Sequence, residues 1–305
     1  MAFDDLNVVT GAFSYTGRYI ARRLLAAGKK VRTLARRPDV QHLFDNEIEV
    51  NQLDFDDDVQ LVRSLEGAST LYNTYWIRFP RGQITFDTAV ENTSKLVRAA
   101  EKAGIKRIVH LSVTNASLES PFPYFRGKAQ QEKIIADSKL SYAIIRPTLI
   151  FGAEDILLNN IAWLLRKLSV FAIPGSGEYR MQPVFVEDVA QIAFNAGSQN
   201  NNLIIDAAGP ETFTFQELVR LIATRIRCPA RIMRMQPGLT LFLARLISLK
   251  VKDVIITRDE ILAIMSNLLM SSELPAGHTS LSRWLEENSH TFGIHYTSES
   301  QRHWR

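Results

Sequence analysis

Two groups of residues in this chain of 305 have the types and the spacing to do chemistry. The first is the run Thr10-Gly11-Ala12-Phe13-Ser14-Tyr15-Thr16-Gly17, which follows a short apolar strand and opens an amphipathic helix. Gly11 stands where the chain must turn sharply and let its backbone approach a pyrophosphate. Gly17 stands where a side chain would hold helix and sheet apart. The amides around Phe13, Ser14, Tyr15 and Thr16 then face the phosphates, and the helix dipole supports them. The spacing is G-x-x-G-x-x-G with Ser14 in the middle glycine's place. A plain strand-to-helix turn is the alternative, but the turn begins a βαβ unit of the expected length, which favours the phosphate reading. The second group is Tyr124-Phe125-Arg126-Gly127-Lys128. On a helix this spacing brings a phenol and an ammonium onto one face. The ammonium favours phenolate and lowers the tyrosine pKa, which suits Tyr124 to general acid or base work. Lys128 could also hydrogen-bond a nicotinamide ribose. By chance the same spacing often marks a solvated helix face; here its place after the fifth strand, at the carboxyl edge of the sheet, argues for a site.

The end of the second strand bears on which dinucleotide is bound. An NAD site calls for an acidic residue there, to accept hydrogen bonds from the ribose hydroxyls. This chain has Ala35-Arg36-Arg37-Pro38 instead. A carboxylate would repel a 2′-phosphate, whereas a guanidinium holds one in bidentate fashion. Arg36 and Arg37 therefore favour NADP(H) over NAD(H), against the alternative of exposed arginines with no ligand. Asp54 and Phe55, after the third strand, are placed to reach the adenine ring. Asn73 at the end of the fourth strand and Pro147 after the sixth complete the expected cofactor contacts. Tyr75, Trp76, Ile77 and Arg78 would line a substrate pocket.

These groups need a framework, and the pattern of the first half supplies one. Apolar strands fall near Asn7–Thr10, Val31–Leu34, Ile48–Leu53, Thr70–Thr74, Arg107–Val113 and Tyr142–Ile145. Helical spacing covers about 16–27, a short stretch near Val59–Leu65, 85–103 and 125–138. Alternating strands and helices predict an α/β fold, a doubly wound parallel Rossmann sheet with right-handed crossovers. Beyond Pro147 the rhythm changes. The expected layout is a Rossmann domain over 1–150, to which 180–210 returns, and a smaller, mainly helical substrate lobe over 151–305, with the cleft between them. Glu187-Asp188 reads as a cap for a helix beginning near Val189. Leu239–Leu249 reads as a packing helix, with an oligomer contact as the alternative.

Composition narrows the classes. Hydrophobic residues make up 46% and charged residues 22%, with a net charge of +4, which fits a folded domain of ordinary balance. There is no basic stripe with interleaved aromatics, so no nucleic-acid partner is expected. Cys228 is the only cysteine, which rules out an internal disulfide and fits a reducing compartment. The six histidines (His42, His110, His278, His290, His295 and His303) form no ligand pattern, so no metal is expected, and His110 reads as a core residue. The acidic start is unlike a signal peptide, and the most lipid-like run, Leu239–Leu249, is too short to span a bilayer. A cytoplasmic protein, monomeric or homodimeric, is the expectation.

Taken together, the Thr10–Gly17 turn, Leu53-Asp54-Phe55, Asn92, His110-Leu111-Ser112, Tyr124-x-x-x-Lys128, Arg146-Pro147, Val184 to Ala190 and Ala208-Gly209-Pro210-Glu211 resemble the short-chain dehydrogenase/reductase superfamily in its extended and atypical branches. The nearest flavour is the NmrA-like group that includes the nicotinamide-nucleotide-binding accessory subunit of respiratory complex I. The resemblance implies that Tyr124 is the proton donor or acceptor, that Lys128 is its partner, and that a hydroxyl at the end of strand five polarises the substrate. There the match departs. Ser112 aligns with the first of two small hydroxyl residues, but Val113 stands at the second, catalytic position; Thr114 or Asn115 could replace it. The leading expectation is an NADP(H)-dependent oxidoreductase acting on a carbonyl or related group of an unidentified small molecule. A non-catalytic NADP(H)-binding redox sensor or assembly subunit, and a sugar-nucleotide epimerase or dehydratase, are the alternatives.

Overall fold

The computed structural model describes residues 6–36, 44 and 47–300. Arg37, expected beside the cofactor, lies outside them. The chain divides into two compact units: Met1–Pro147 with Val186–Ala207, and Thr148–Phe185 with Ala208–Arg305.

The first unit alternates strand and helix through β1 (Leu6–Thr10), α1 (Tyr15–Ala26), β2 (Lys30–Ala35), β3 (Glu49–Gln52), α2 (Asp58–Arg63), β4 (Thr70–Asn73), α3 (Phe86–Ala103), β5 (Arg107–Leu111), α4 (Pro123–Ala136) and β6 (Ser141–Pro147). The second unit opens with β7 (Leu149–Phe151), α5 (Leu157–Lys167), β8 (Val170–Pro174), β9 (Arg180–Met181) and β10 (Pro183–Phe185). The chain then returns to the first through α6 (Val186–Gly197) and β11 (Leu203–Ala207). It ends in the second unit with β12 (Phe213–Thr214), α7 (Phe215–Arg225), β13 (Arg231–Met235), α8 (Pro237–Val251), α9 (Arg258–Met265) and α10 (Leu281–Asn288).

Seven strands of the first unit form one sheet in the order β11-β6-β5-β4-β1-β2-β3, every pair parallel. β1 and β5 are buried at every position, as runs covered by helices on both faces must be. Val8, Leu34, Leu71, Leu96, Ile108 and Ile135 pack beneath one layer of helices. The strand order reverses between β1 and β4, and the carboxyl edge of a doubly wound sheet opens into a crevice at such a point. The returning segment is sewn in by Arg107. Its buried guanidinium donates to the carbonyls of Ala196 (2.7 Å) and Asn201 (3.1 Å) and to the Ser141 hydroxyl (3.1 Å). Burial lowers its pKa from the ordinary arginine value, with Tyr72 opposing.

Two element ends differ from the sequence reading. β6 runs through Pro147, whose carbonyl accepts the Thr114 amide at 2.9 Å; a strand end needs only the acceptor that proline keeps. α6 begins at Val186, so Glu187 and Asp188 sit inside its first turn, favourable to its dipole, rather than ahead of it as a cap.

In the second unit, α5, α7 and α10 surround a core that includes Phe151, Leu158, Ile161, Leu218, Ile222 and Leu285, with three short strand pairs beside it. Capping boxes start α7 (Thr214 with Glu217) and α9 (Thr257 with Glu260). α8 is unlike its neighbours. The packing expected of this apolar run is confined to one strip: only Ala244 is buried, while Leu239, Phe242, Leu246 and Leu249 are exposed.

Candidate functional site

The Thr10–Gly17 turn joins β1 to α1 at the strand-order reversal. Gly11 has φ +71°, the left-handed region that a side chain disfavours. A Cβ on Gly17 would lie 2.2 Å from the Gly11 carbonyl oxygen, so only glycine allows α1 to start this close to the strand. The underside of the turn is pinned. The Gly11 amide donates to Leu34 O (2.9 Å) and the Ala12 amide to Thr33 Oγ1 (3.0 Å). Ser14 explains how a side chain is tolerated at the middle position: its hydroxyl folds back and donates to Gly11 O at 2.6 Å. It therefore does not cap α1, whose first turn also carries no acidic residue. A helix start with neither cap nor carboxylate suits an anion. Phe13, Tyr15 and Thr16 are half-buried around it; Phe13 packs on Phe44 (6.0 Å) and Tyr15 on Tyr19 (6.0 Å).

Arg36 projects from the end of β2, and its guanidinium donates to the Tyr75 hydroxyl at 3.3 Å while lying 5.7 Å from that ring. Tyr75 is itself held, since its hydroxyl accepts Asn92 Nδ2 at 2.9 Å and its ring packs on Phe55 at 4.9 Å. Arg36 is exposed but anchored. Asp54, beside Phe55, accepts the Asp56 amide at 2.8 Å and shapes the bend after β3.

Asn73 is fully buried. Its Oδ1 accepts the Thr10 hydroxyl (3.2 Å) and the Tyr75 amide (3.0 Å), and its Nδ2 donates to His110 Nδ1 (3.1 Å). Its amide is committed to bracing β1 against β4, so it shapes the crevice from within. Because Nδ1 accepts, the His110 proton sits on Nε2, which is buried with no partner. Burial first, and the nearby Lys128 second, hold this imidazole well below its usual pKa despite the Asn73 contact.

The Tyr124–Lys128 pair lies on the first turns of α4, and Trp76 lies against it. The indole stacks on Phe86 (5.5 Å) and meets the Tyr124 ring edge-on (5.8 Å). Lys128 Nζ is 4.8 Å from the indole ring and donates to the Leu111 carbonyl at 2.7 Å. Gly127 makes this possible, because a Cβ there would come within 2.7 Å of the indole. Lys128 is thus only 3% exposed. Burial brings its pKa down to about 7, against the opposing pull of Glu132. The Ser112 hydroxyl donates to Glu132 Oε1 at 2.5 Å, and the same carboxylate accepts Arg146 through two nitrogens at 2.9 and 2.6 Å. Val113 is buried, and Thr114, the possible substitute, is fully buried and donates to Asp206 at 3.2 Å. Of the expected catalytic residues, then, only Tyr124 is half-exposed; Ser112 and Lys128 are buried with internal partners.

Three residues organise this site in ways the sequence reading did not give: Tyr75 and Trp76, expected to line a substrate pocket, anchor Arg36 and cover Lys128, and Glu132, which had no expected role, holds Ser112. Glu132 had a visible signal, being one helical turn from Lys128 on the same face. Among the described residues no group of three or more His, Cys, Asp or Glu side chains could hold a metal ion. No helix there is long and apolar enough to cross a membrane.

An NAD(P)H-binding family profile matches residues 11–155. Over 230 residues, or 72% of this chain, the sequence is 26% identical to the mitochondrial NADH dehydrogenase (ubiquinone) 1 alpha subcomplex subunit 9 of Arabidopsis thaliana, and the match covers 57% of that relative. The chain spans a little over half the length of several such curated relatives. It is also 26% identical, over 73% of its length and 75% of the relative's, to a (4-alkanoyl-5-oxo-2,5-dihydrofuran-3-yl)methyl phosphate reductase of Streptomyces griseus. In fold it is similar to an NADPH-dependent quinone oxidoreductase of Escherichia coli solved with NADPH. That similarity has a TM-score of 0.75 at 20% identity and covers 92% of this chain and 99% of the other.

Proposed function

We propose that this chain, which is similar to the extended, NmrA-like group of NAD(P)-binding short-chain dehydrogenase/reductases, binds NADP(H) on its first unit and acts as a reductase of a small-molecule carbonyl or related group. The observation that carries the reading is Arg36, fixed on Tyr75 at the end of β2, where an NAD site would have a carboxylate. The Gly11–Gly17 turn fits the pyrophosphate, because the approach that a Cβ would block is open and the start of α1 carries no competing anion. Arg36 fits the 2′-phosphate, and Phe55 and Asp54 flank the place of the adenine. The dinucleotide supplies hydride at its nicotinamide ring.

The remaining chemistry belongs to the chain. Tyr124 is the group placed to pass a proton, and the aromatic wall of Trp76 and Phe86 keeps water from one side of its ring. Lys128 sets the field behind it. With its pKa near 7 it switches between ammonium and amine around neutrality, so its influence on the phenol is strongest on the acid side. Ser112, committed to Glu132, has no role in polarising substrate on this reading.

That same commitment favours a second reading, an NADP(H)-binding sensor or assembly subunit without turnover; the complex I relative belongs to an assembly. The epimerase reading is weakened by Arg36, which suits an exchangeable phosphorylated dinucleotide better than a retained NAD. Titration with NADPH and NADH, followed by NADPH oxidation against a carbonyl panel for wild type and Tyr124→Phe, separates these outcomes. Tighter binding of NADH would remove the Arg36 argument. Tight NADPH binding with no Tyr124-dependent turnover would leave the sensor reading in place.

A further inference from the structure

The second unit contains a cavity of about 360 Å³ walled by α5, β8, α8 and α9, among them Leu164, Phe171, Ile247 and Ile264. The size lies within the range of pockets that hold small molecules, about 300–1,000 Å³. No charged residue lines it, and each polar side chain on its wall is already paired. The Tyr179 hydroxyl donates to the Pro174 carbonyl at 3.1 Å. The Asn160 amide is bonded on both atoms to the backbone of Thr297, at 2.9 and 2.8 Å. The Thr240 hydroxyl donates to the Gln236 carbonyl at 3.3 Å. The cavity therefore offers an occupant contact area without hydrogen bonds, and a polar group placed there would lose its water with nothing in return.

The helix that supplies one wall is basic, though its basic residues lie off the cavity lining. α8 carries Arg245 and Lys250 and is followed by Lys252, with no acidic residue between Pro237 and Lys252. Its large apolar residues divide: Leu243, Leu246 and Ile247 line the cavity, while Leu239 and Leu249 do not. α8 has a single buried residue, so an apolar occupant would add packing to its inner face. We propose that this cavity takes the hydrocarbon chain of an anionic acyl lipid, with α8 as its cover and the basic residues of α8 favouring the carboxylate. The site lies wholly within the second unit and does not depend on the dinucleotide reading.

The test uses the full chain without dinucleotide and cis-parinaric acid as a fluorescent probe, with palmitate and farnesol as competitors. Ala172→Phe places a ring into the cavity, and Leu274→Ser alters an apolar residue that is 89% exposed and off the cavity wall. Saturable probe binding, displaced by palmitate, weakened at least tenfold by Ala172→Phe and unchanged by Leu274→Ser, is the expected result. Circular dichroism checks that the filled variant folds; if it does not, Ala244→Leu takes its place. Absence of saturable binding, or equal binding by a folded filled variant, overturns the proposal. Farnesol displacing the probe as well as palmitate overturns the assignment to an acid.

Discussion

The turn after β1 and the region where β5 meets α4 are built on opposite plans. At the turn, glycine removes side chains from the approach, the Ser14 hydroxyl bonds to its own turn, and the helix start carries neither a side-chain cap nor an acidic residue. At β5 and α4, the chemically active groups are drawn inward: Ser112 to Glu132, Lys128 to the Leu111 carbonyl beneath Trp76, His110 to Asn73. A doubly wound sheet collects both at one edge, yet only the first is arranged to receive a ligand without rearrangement. The difference teaches that residue identity and residue availability are separate properties.

The comparison is broken most severely at Gly17. Gly17→Val must displace the Gly11 carbonyl, and NADPH binding, followed by fluorescence titration, should fall by a factor of about 100 or more, with about 1–3 kcal/mol of stability lost to overpacking. Binding retained within a fewfold would show that the turn is not the phosphate site. Arg36→Ala comes next. Loss of a charge-assisted contact worth about 1.5–3 kcal/mol should weaken NADPH by roughly 10–100-fold and leave NADH nearly unchanged. Equal losses for the two dinucleotides would detach Arg36 from the 2′-phosphate.

The inward-facing side is sharpened by pH. Lys128 has a folded-state pKa of about 7, whereas the unfolded chain keeps the proton up to the ordinary lysine value of 10.5. Between those values the unfolded state holds more protons, so raising the pH should stabilise the fold, by up to about 1.4 kcal/mol per unit. Denaturant melts of wild type and Lys128→Met across this window check it: the variant should lose that part of the slope. A slope identical in both would place the titration elsewhere. The smallest effect expected is on turnover in Ser112→Ala. Because Ser112 serves Glu132, any NADPH oxidation should change less than about threefold, while stability falls by about 1–3 kcal/mol as the buried carboxylate loses a donor. A hundredfold loss of rate with unchanged stability would restore Ser112 to the substrate.

Much of this framework was legible in the sequence, for reasons tied to particular residues. The first strand, Leu6–Thr10, is a short, mostly apolar run closed by Gly11, and the turn keeps its glycines at fixed offsets because backbone geometry demands them. What could not be read was which partner each polar group finds across the sheet. Tyr75 reaching Arg36 spans 39 positions, across β1 between β4 and β2, and Asn73 meeting His110 spans 37, because β4 lies beside β5. Trp76 over Lys128 depends on Gly127 being small in a place where helical periodicity would accept any residue. The ends of α6 and β6 moved for a related reason, since register with neighbouring strands outweighs local propensity.

Arg107 carries a consequence for how the molecule is made. Two of its three bonds go to carbonyls at Ala196 and Asn201, which leave the ribosome long after the strand that bears it. Until then the nascent first unit has an open edge at β6 and a buried-to-be guanidinium with only the Ser141 hydroxyl of its three partners. A chain released at Pro147 would therefore expose an unpaired apolar strand and aggregate, whereas release after Ala207 would close the sheet. Completion of the Rossmann unit is a late event in synthesis, set by the place of β11 in the chain.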